Sequence, residues 1–234
     1  MVPLLCLLNA MIAAEPAPAP AGEGPTVAVL YLDYAGADEE LAALRKGLAQ
    51  MLISDLSASA RLRLVERLQL ESVLAELELG GSRAIDAKTA AKVGRLLGAQ
   101  YLVMGGYFEL AGSLRVDARV VHVETGRLVK GVGVTGKGED FLALERELAA
   151  GLEAVLVGVE PASPGKPSPP REPAVKQRPQ SPGRLRTRTA ARYGKALDLI
   201  DKGDKTGARA ELEEVVAEEP GFGLAVHDLQ RLVQ

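Results

Sequence analysis

From Thr26 to Leu32 the chain reads Thr-Val-Ala-Val-Leu-Tyr-Leu, with Asp33 closing the run. Such an unbroken stretch of β-formers suits a strand buried on both faces, where helices cover the sheet from either side. Leu41, Leu44, Leu48, Leu52 and Leu56 then recur at three- and four-residue steps. That spacing predicts one long amphipathic helix, and Asp38, Glu39 and Glu40 suit the positive end of its dipole. Arg61–Glu66 reads as a short second strand. Leu70, Val73, Leu74 and Leu77 predict a second helix halted by Gly80-Gly81, and a third runs from a cap at Asp86 to Gly98.

Beyond Gly98 the period changes from helical to alternating. Gln100–Leu110, Ser113–Glu124 and Arg127–Thr135 are β-rich and separated only by Ala111-Gly112 and Thr125-Gly126. Breaks that short predict hairpins, and so an antiparallel meander. In the middle run Leu114, Val116, Ala118 and Val120 share one face, and Arg115, Asp117 and Arg119 the other. A closing helix follows on Phe141, Leu144, Leu148, Leu152 and Val155. The order β-α-β-α-α-β-β-β-α defines an α/β (α+β) class: a mixed sheet with helices packed on it.

Proline placement divides the chain. Five of the 14 prolines lie at or before Pro25, eight between Pro161 and Pro182, and the last is Pro220. The proline-free interval marks the folded domain, because proline breaks helix interiors and central strands. The expected map is a signal peptide over residues 1–14, an Ala/Pro-rich tail over 15–25 and the α/β domain over 26–157. A Pro-rich basic linker over 158–186 and a helical segment over 187–234 complete it. Residues 1–14 form an apolar stretch too short to span a bilayer, ending on the small Ala13 and Ala14, and suit a secretory signal. No basic residue precedes them, which leaves a tail without targeting role as the competing reading. The linker carries eight basic residues against Glu172 between Lys166 and Arg192. A solvated spacer is expected, although an anionic membrane surface would also attract it.

In the C-terminal segment, Ala196, Gly203, Ala208 and Pro220 have the separations of landmark positions in the tetratricopeptide repeat. Tyr193, Leu197 and Ile200 supply a first helical stripe, and a capping helix is expected from Phe222 to Val233. A generic helical hairpin explains the same pattern equally well. A single repeat buries its apolar faces poorly, so it must pack on the main domain, a second copy or a partner.

Charge and composition narrow the chemistry. The net charge of −3, with five Tyr, three Phe and no Trp, argues against nucleic-acid binding. Cys6 is the lone cysteine, and His122 and His227 are the only histidines. Cysteine or histidine metal cages are thereby excluded. Gly131–Gly138 imitates a phosphate loop containing Lys137, but Gly138 stands where the magnesium-binding Ser or Thr belongs. A hairpin strand thinned by glycine, approached closely by another backbone, fits better. His122 reads as a structural histidine. Glu66, Glu71, Glu76 and Glu78 read as a solvated helix face. No catalytic residue, cofactor or metal is expected. Glu66 and Arg67, at a strand-to-helix junction, are assigned a structural or interface role, as are Tyr193 and Leu197.

Three blocks resemble the CsgG-like curli-secretion family. The first is Leu64-Val65-Glu66-Arg67-Leu68-Gln69-Leu70 with Val73-Leu74-Ala75-Glu76. The second is Ala91–Gly98 leading into Ala99-Gln100-Tyr101-Leu102-Val103-Met104-Gly105, and the third is Val116–Leu128. Their order agrees over about residues 26–157. The domain is also similar to the N-terminal domain of TolB-type periplasmic proteins. Curli-secreting members form outer-membrane rings with membrane hairpins and a long loop after the first strand. Here only Tyr34-Ala35-Gly36-Ala37 links Asp33 to the first helix, and the hairpins are tight. The resemblance therefore implies a non-enzymatic periplasmic scaffold or accessory protein in envelope assembly or secretion, without a pore. It implies envelope protein partners and peripheral association with the outer membrane, and leaves self-association open. The TolB-like alternative is a monomeric module recognising a peptide or protein ligand.

Overall fold

The computed structural model describes residues 24–79, 86–159 and 184–233. The expected signal peptide, most of the Ala/Pro-rich tail, Gly80-Gly81 and most of the linker lie outside the described residues. One six-stranded mixed sheet organises the molecule, with strands β1 (Thr26–Val29), β2 (Asp33–Tyr34), β3 (Arg63–Leu64), β4 (Tyr101–Leu110), β5 (Ser113–His122) and β6 (Leu128–Lys137). Their spatial order is β3-β1-β4-β5-β6, and β2 pairs with β4. The β1–β3, β1–β4 and β2–β4 pairs are parallel, while β4, β5 and β6 form the antiparallel meander.

The first strand departs from expectation. Val29 pairs with Val103, an offset of 103 − 29 = 74, but Asp33 pairs with Gly106, an offset of 106 − 33 = 73. One extra residue therefore bulges between β1 and β2. Leu30 and Leu32 stay buried through the bulge, and the chain regains β4 at Asp33–Tyr34. The link to the first helix thus begins with a strand residue, Tyr34.

Helix α1 (Glu39–Ala42) and helix α2 (Leu44–Ser57) divide the predicted single helix at Ala43. Asp38 caps the start, accepting from Glu40 N at 2.9 Å and Leu41 N at 3.3 Å. All five leucines of the stripe are buried. Helix α3 (Arg67–Glu76) ends before the two glycines, on Glu78 with φ +56°. Helix α4 (Ala87–Leu96) starts at the Asp86 cap and stops at Gly98, φ +63°. After the 3₁₀ turn Gly138–Asp140 comes helix α5 (Phe141–Gly158).

Helices α6 (Thr187–Asp201), α7 (Lys205–Glu218) and α8 (Gly223–Val233) form the C-terminal segment. The expected hairpin and following helix are present, and they pack on the main domain. Leu185, Tyr193, Leu197, Leu212, Val215 and Phe222 join the same apolar cluster as Leu44, Leu48, Phe141 and Leu148. The layers run α3–α4, sheet, α2–α5, then α6–α8. A separate cluster of Ala28, Leu30, Leu70, Leu74, Val93, Leu102 and Met104 fills the far face under α3 and α4. Beyond it, Arg115, Asp117 and Arg119 lie on the exposed side of β5, as the alternation predicted. β6 is a strand rather than a phosphate loop, with Val129 bulged between Leu128 and Lys130. Gly133 and Gly136 accommodate side chains rather than a second backbone: a Cβ on Gly133 would lie 2.5 Å from Asp117 Oδ1, and one on Gly136 3.0 Å from Leu144.

Candidate functional site

The most concentrated polar chemistry lies where the C-terminal helices meet the α/β layers. Arg67, the first residue of α3, follows the extended Glu66 and turns inward, leaving 5 % of its side chain exposed. Its guanidinium grips Asp201 at the end of α6 with two bonds, 2.7 and 3.0 Å, a bidentate geometry that fixes orientation as well as distance. Lys46 on α2 reaches the same carboxylate at 2.7 Å, Asp198 at 3.0 Å and Glu71 at 3.2 Å. Tyr31, inside the bulge, donates its hydroxyl to Glu71 and accepts from Arg67 at 3.4 Å. Lys46 also sits 5.6 Å from the centre of the Tyr31 ring. Lys202 adds a bond to Asp198 at 2.6 Å. Three cations thus face three carboxylates, and no charge in the cluster is left uncompensated.

These neighbours set the proton affinities. Burial alone would lower the Lys46 ammonium, but the hydrogen bonds it donates to Asp201 and Asp198 outweigh it and hold the group above its ordinary value. Burial would raise Asp198, yet bonds from Lys202 and Lys46 keep that carboxyl below its ordinary range. Burial and the bond to Glu71 push the Tyr31 hydroxyl far up. Every shift favours the state in which the network is closed.

Beside the charges, two helices touch backbone to backbone. A Cβ on Gly194 of α6 would lie 2.0 Å from Ala43 O, and one on Gly47 of α2 would lie 2.7 Å from Ala190 O. The paired glycines bring α2 and α6 close enough for Lys46 and Arg67 to reach across. Another seam of this layer, lined by Met51, Ser54, Asp55, Leu142, Phe222 and Leu224, includes Glu145, which is 1 % exposed.

The sequence-derived residues divide. Arg67 lies at the centre of the network. Glu66, its neighbour, is exposed and makes no ion pair or side-chain hydrogen bond among the described residues. Tyr193 is fully buried, donating to Asp228 at 2.8 Å with its ring edge-on to Phe222, and Leu197 packs in the same core. Glu71 corrects the solvated-face reading, because it bonds both Tyr31 and Lys46. His122 stands edge-on to Tyr101 at 5.3 Å and accepts from Thr125 N at 3.3 Å. Sequence reasoning missed Lys46, Asp198, Asp201 and the two glycines. An interior glycine in each of two otherwise regular helices was the available signal. Among the described residues no group of His, Cys, Asp and Glu forms a metal site, and no helix is long and apolar enough to cross a membrane.

Residues 23–113 match the family model of the curli production assembly/transport component CsgG. The match ends as β5 begins, so the third sequence block lies beyond it. No curated protein matches the chain significantly. Among solved structures, Escherichia coli LpoB is 17 % identical with a TM-score of 0.40, over 58 % of this chain and 82 % of that one. Lipoprotein GNA1162 from Neisseria meningitidis is 13 % identical at 0.43, over 58 % and 99 %. The PelC dodecamer from Paraburkholderia phytofirmans is 15 % identical at 0.37, over 60 % and 92 %. Likenesses this loose bear on neither activity nor partner.

Proposed function

We propose that the chain is a non-enzymatic scaffold or accessory protein of the periplasm, acting through protein contacts in cell-envelope assembly or secretion. The observation that carries this reading is the match of residues 23–113 to the curli assembly/transport model. The polar network supports it. Arg67, Lys46, Glu71 and Asp201 are largely withdrawn from water, and each neutralises another instead of facing an open cleft. Enzymes hold titratable groups with shifted affinities toward a pocket. Here the shifts favour closure between layers, the economy of a binding scaffold. The tight hairpins Ala111-Gly112 and Thr125-Gly126 support a form without membrane-inserted hairpins.

Subcellular fractionation of the native host, followed by in-cell crosslinking and identification of captured proteins, tests the proposal. The chain is expected in the periplasmic or outer-membrane fraction, linked to envelope proteins. Confinement to the cytoplasm, or turnover of a small molecule by the purified chain, would overturn it.

A further inference from the structure

β6 is the last strand of the sheet, and no described strand pairs with its outer edge. Gly138 N donates to Gly112 O at 3.1 Å. By the alternation of antiparallel ladders, Gly136, Val134, Val132 and Lys130 then bond to β5. Lys137, Thr135, Gly133 and Gly131 turn their N–H and C=O groups outward. Two of those four residues are glycines, so little side-chain bulk stands beside the free backbone groups.

Basic charge predominates along this edge. Arg127, Lys130 and Lys137 are exposed, and none forms an ion pair among the described residues. Arg119 lies opposite Gly131, likewise without an ion pair among the described residues, while Arg115 is tied to Asp117 at 2.7 Å. Residues 113–138 carry five basic groups against Asp117 and Glu124, a net of +3 within a chain of −3. Lysines on an edge oppose pairing with another copy, because each copy brings the same cations to the seam. The same charges favour a strand bearing carboxylates.

We propose that β6 is a strand-pairing site for an extended acidic segment of a protein partner. Main-chain bonds to Gly131, Gly133, Thr135 and Lys137 supply the affinity, and carboxylates beside Lys130, Lys137 and Arg127 supply the choice of partner. The inference rests on reading the chain as a protein-binding envelope component, and it names the chemistry of what is bound.

The test uses the full chain and two dye-labelled decapeptides, one alternating Glu with Val and one alternating Lys with Val, followed by fluorescence anisotropy. The acidic peptide should bind at least about tenfold more tightly, with the gap narrowing as salt is added. Thr135→Pro removes an outward N–H at no cost to the β5 ladder, and should abolish binding while circular dichroism stays unchanged. The combined Lys130→Glu and Lys137→Glu variant should reverse the preference, which decides the matter if the proline variant fails to fold. Equal binding of both peptides, or undiminished binding by a folded Thr135→Pro chain, overturns the proposal. A dimer in light scattering that excludes both peptides gives the edge to a second copy. A monomer that binds neither leaves it to the chain's own remaining residues, and both outcomes also overturn the proposal. Periplasmic fractionation alongside failed peptide binding would remove this inference and leave the functional reading standing.

Discussion

Arg67 and Asp201 are each 5 % exposed at the side chain, so neither can turn to water if its partner is lost. Asp201→Leu alone should cost about 3–5 kcal/mol in chemical denaturation, the usual penalty for stranding a buried charge. Pairing it with Arg67→Met should recover most of that loss, since an apolar pair of similar volume replaces the ions. Recovery of nothing would mean the pair also fixes the docking geometry of α6. The pH dependence has a definite sign. Asp198 is held below its ordinary 3.8, so its contribution is present above that value and disappears as acid carries the pH down through the folded-state pKa. Lys46 is held above 10.5, so its contribution is complete below that value and disappears as the pH rises through the folded-state pKa. Thermal melts should therefore show a plateau between these limits, and Lys46→Met should flatten the alkaline side. Arg67 was legible as a polar residue at a helix start. Its partner was not, because Asp201 lies 134 residues away and local periodicity carries no record of such a pairing.

Three helices end in the same way, with two backbone bonds folding back over a left-handed residue. In α4 that residue is Gly98 and in α6 it is Gly203, but in α3 it is Glu78. Leu79 N donates to Leu74 O at 2.8 Å and Glu78 N to Ala75 O at 3.0 Å, the full Schellman pattern without its customary glycine. Glu78→Gly should therefore raise stability by about 1 kcal/mol, and Gly203→Ala should lower it by about as much. Opposite signs in parallel denaturant titrations check both. The expectation that α3 stops at Gly80-Gly81 failed for this reason: the hydrogen bonds closed on a residue whose type did not announce the turn. The bulge between β1 and β2 was hidden similarly, since Leu30 and Leu32 keep an apolar pattern through it. By contrast, the α2 stripe, the meander and the Asp86 cap were plain, because each follows from spacing alone. Gly194 illustrates an element-level conflict. Alanine there gains about 1 kcal/mol of helix propensity, but its Cβ would meet Ala43 O at 2.0 Å. Gly194→Ala should be destabilising by several kcal/mol, and a neutral or stabilising result would show that α6 can slide on α2.

At the scale of the molecule, the C-terminal helices are a structural layer of the domain and not an appended module. Tyr193, Leu197, Leu212 and Phe222 share one core with the sheet and α5. Of the three surfaces on which the segment could have packed, the chain supplies its own. Removing residues 187–234 should therefore expose the α2 face and give a chain that binds a hydrophobic dye and melts earlier, whatever its partner. Surface variants on β6 are the cleaner probe of binding. The fold class was readable because periodicity reports local structure. The assembly of the layers was not, because it depends on two glycines and a carboxylate that only three dimensions bring together.

Gly47 and Arg67 leave the ribosome well before Gly194 and Asp201 do. Through all that intervening synthesis α2 must hold an unfilled apolar groove, with the guanidinium still in water. Bringing contacts so far apart in sequence together is entropically slow. The nascent chain should be at its most vulnerable to proteases and to clumping until α6 emerges, and guarding that groove is the task a chaperone would perform.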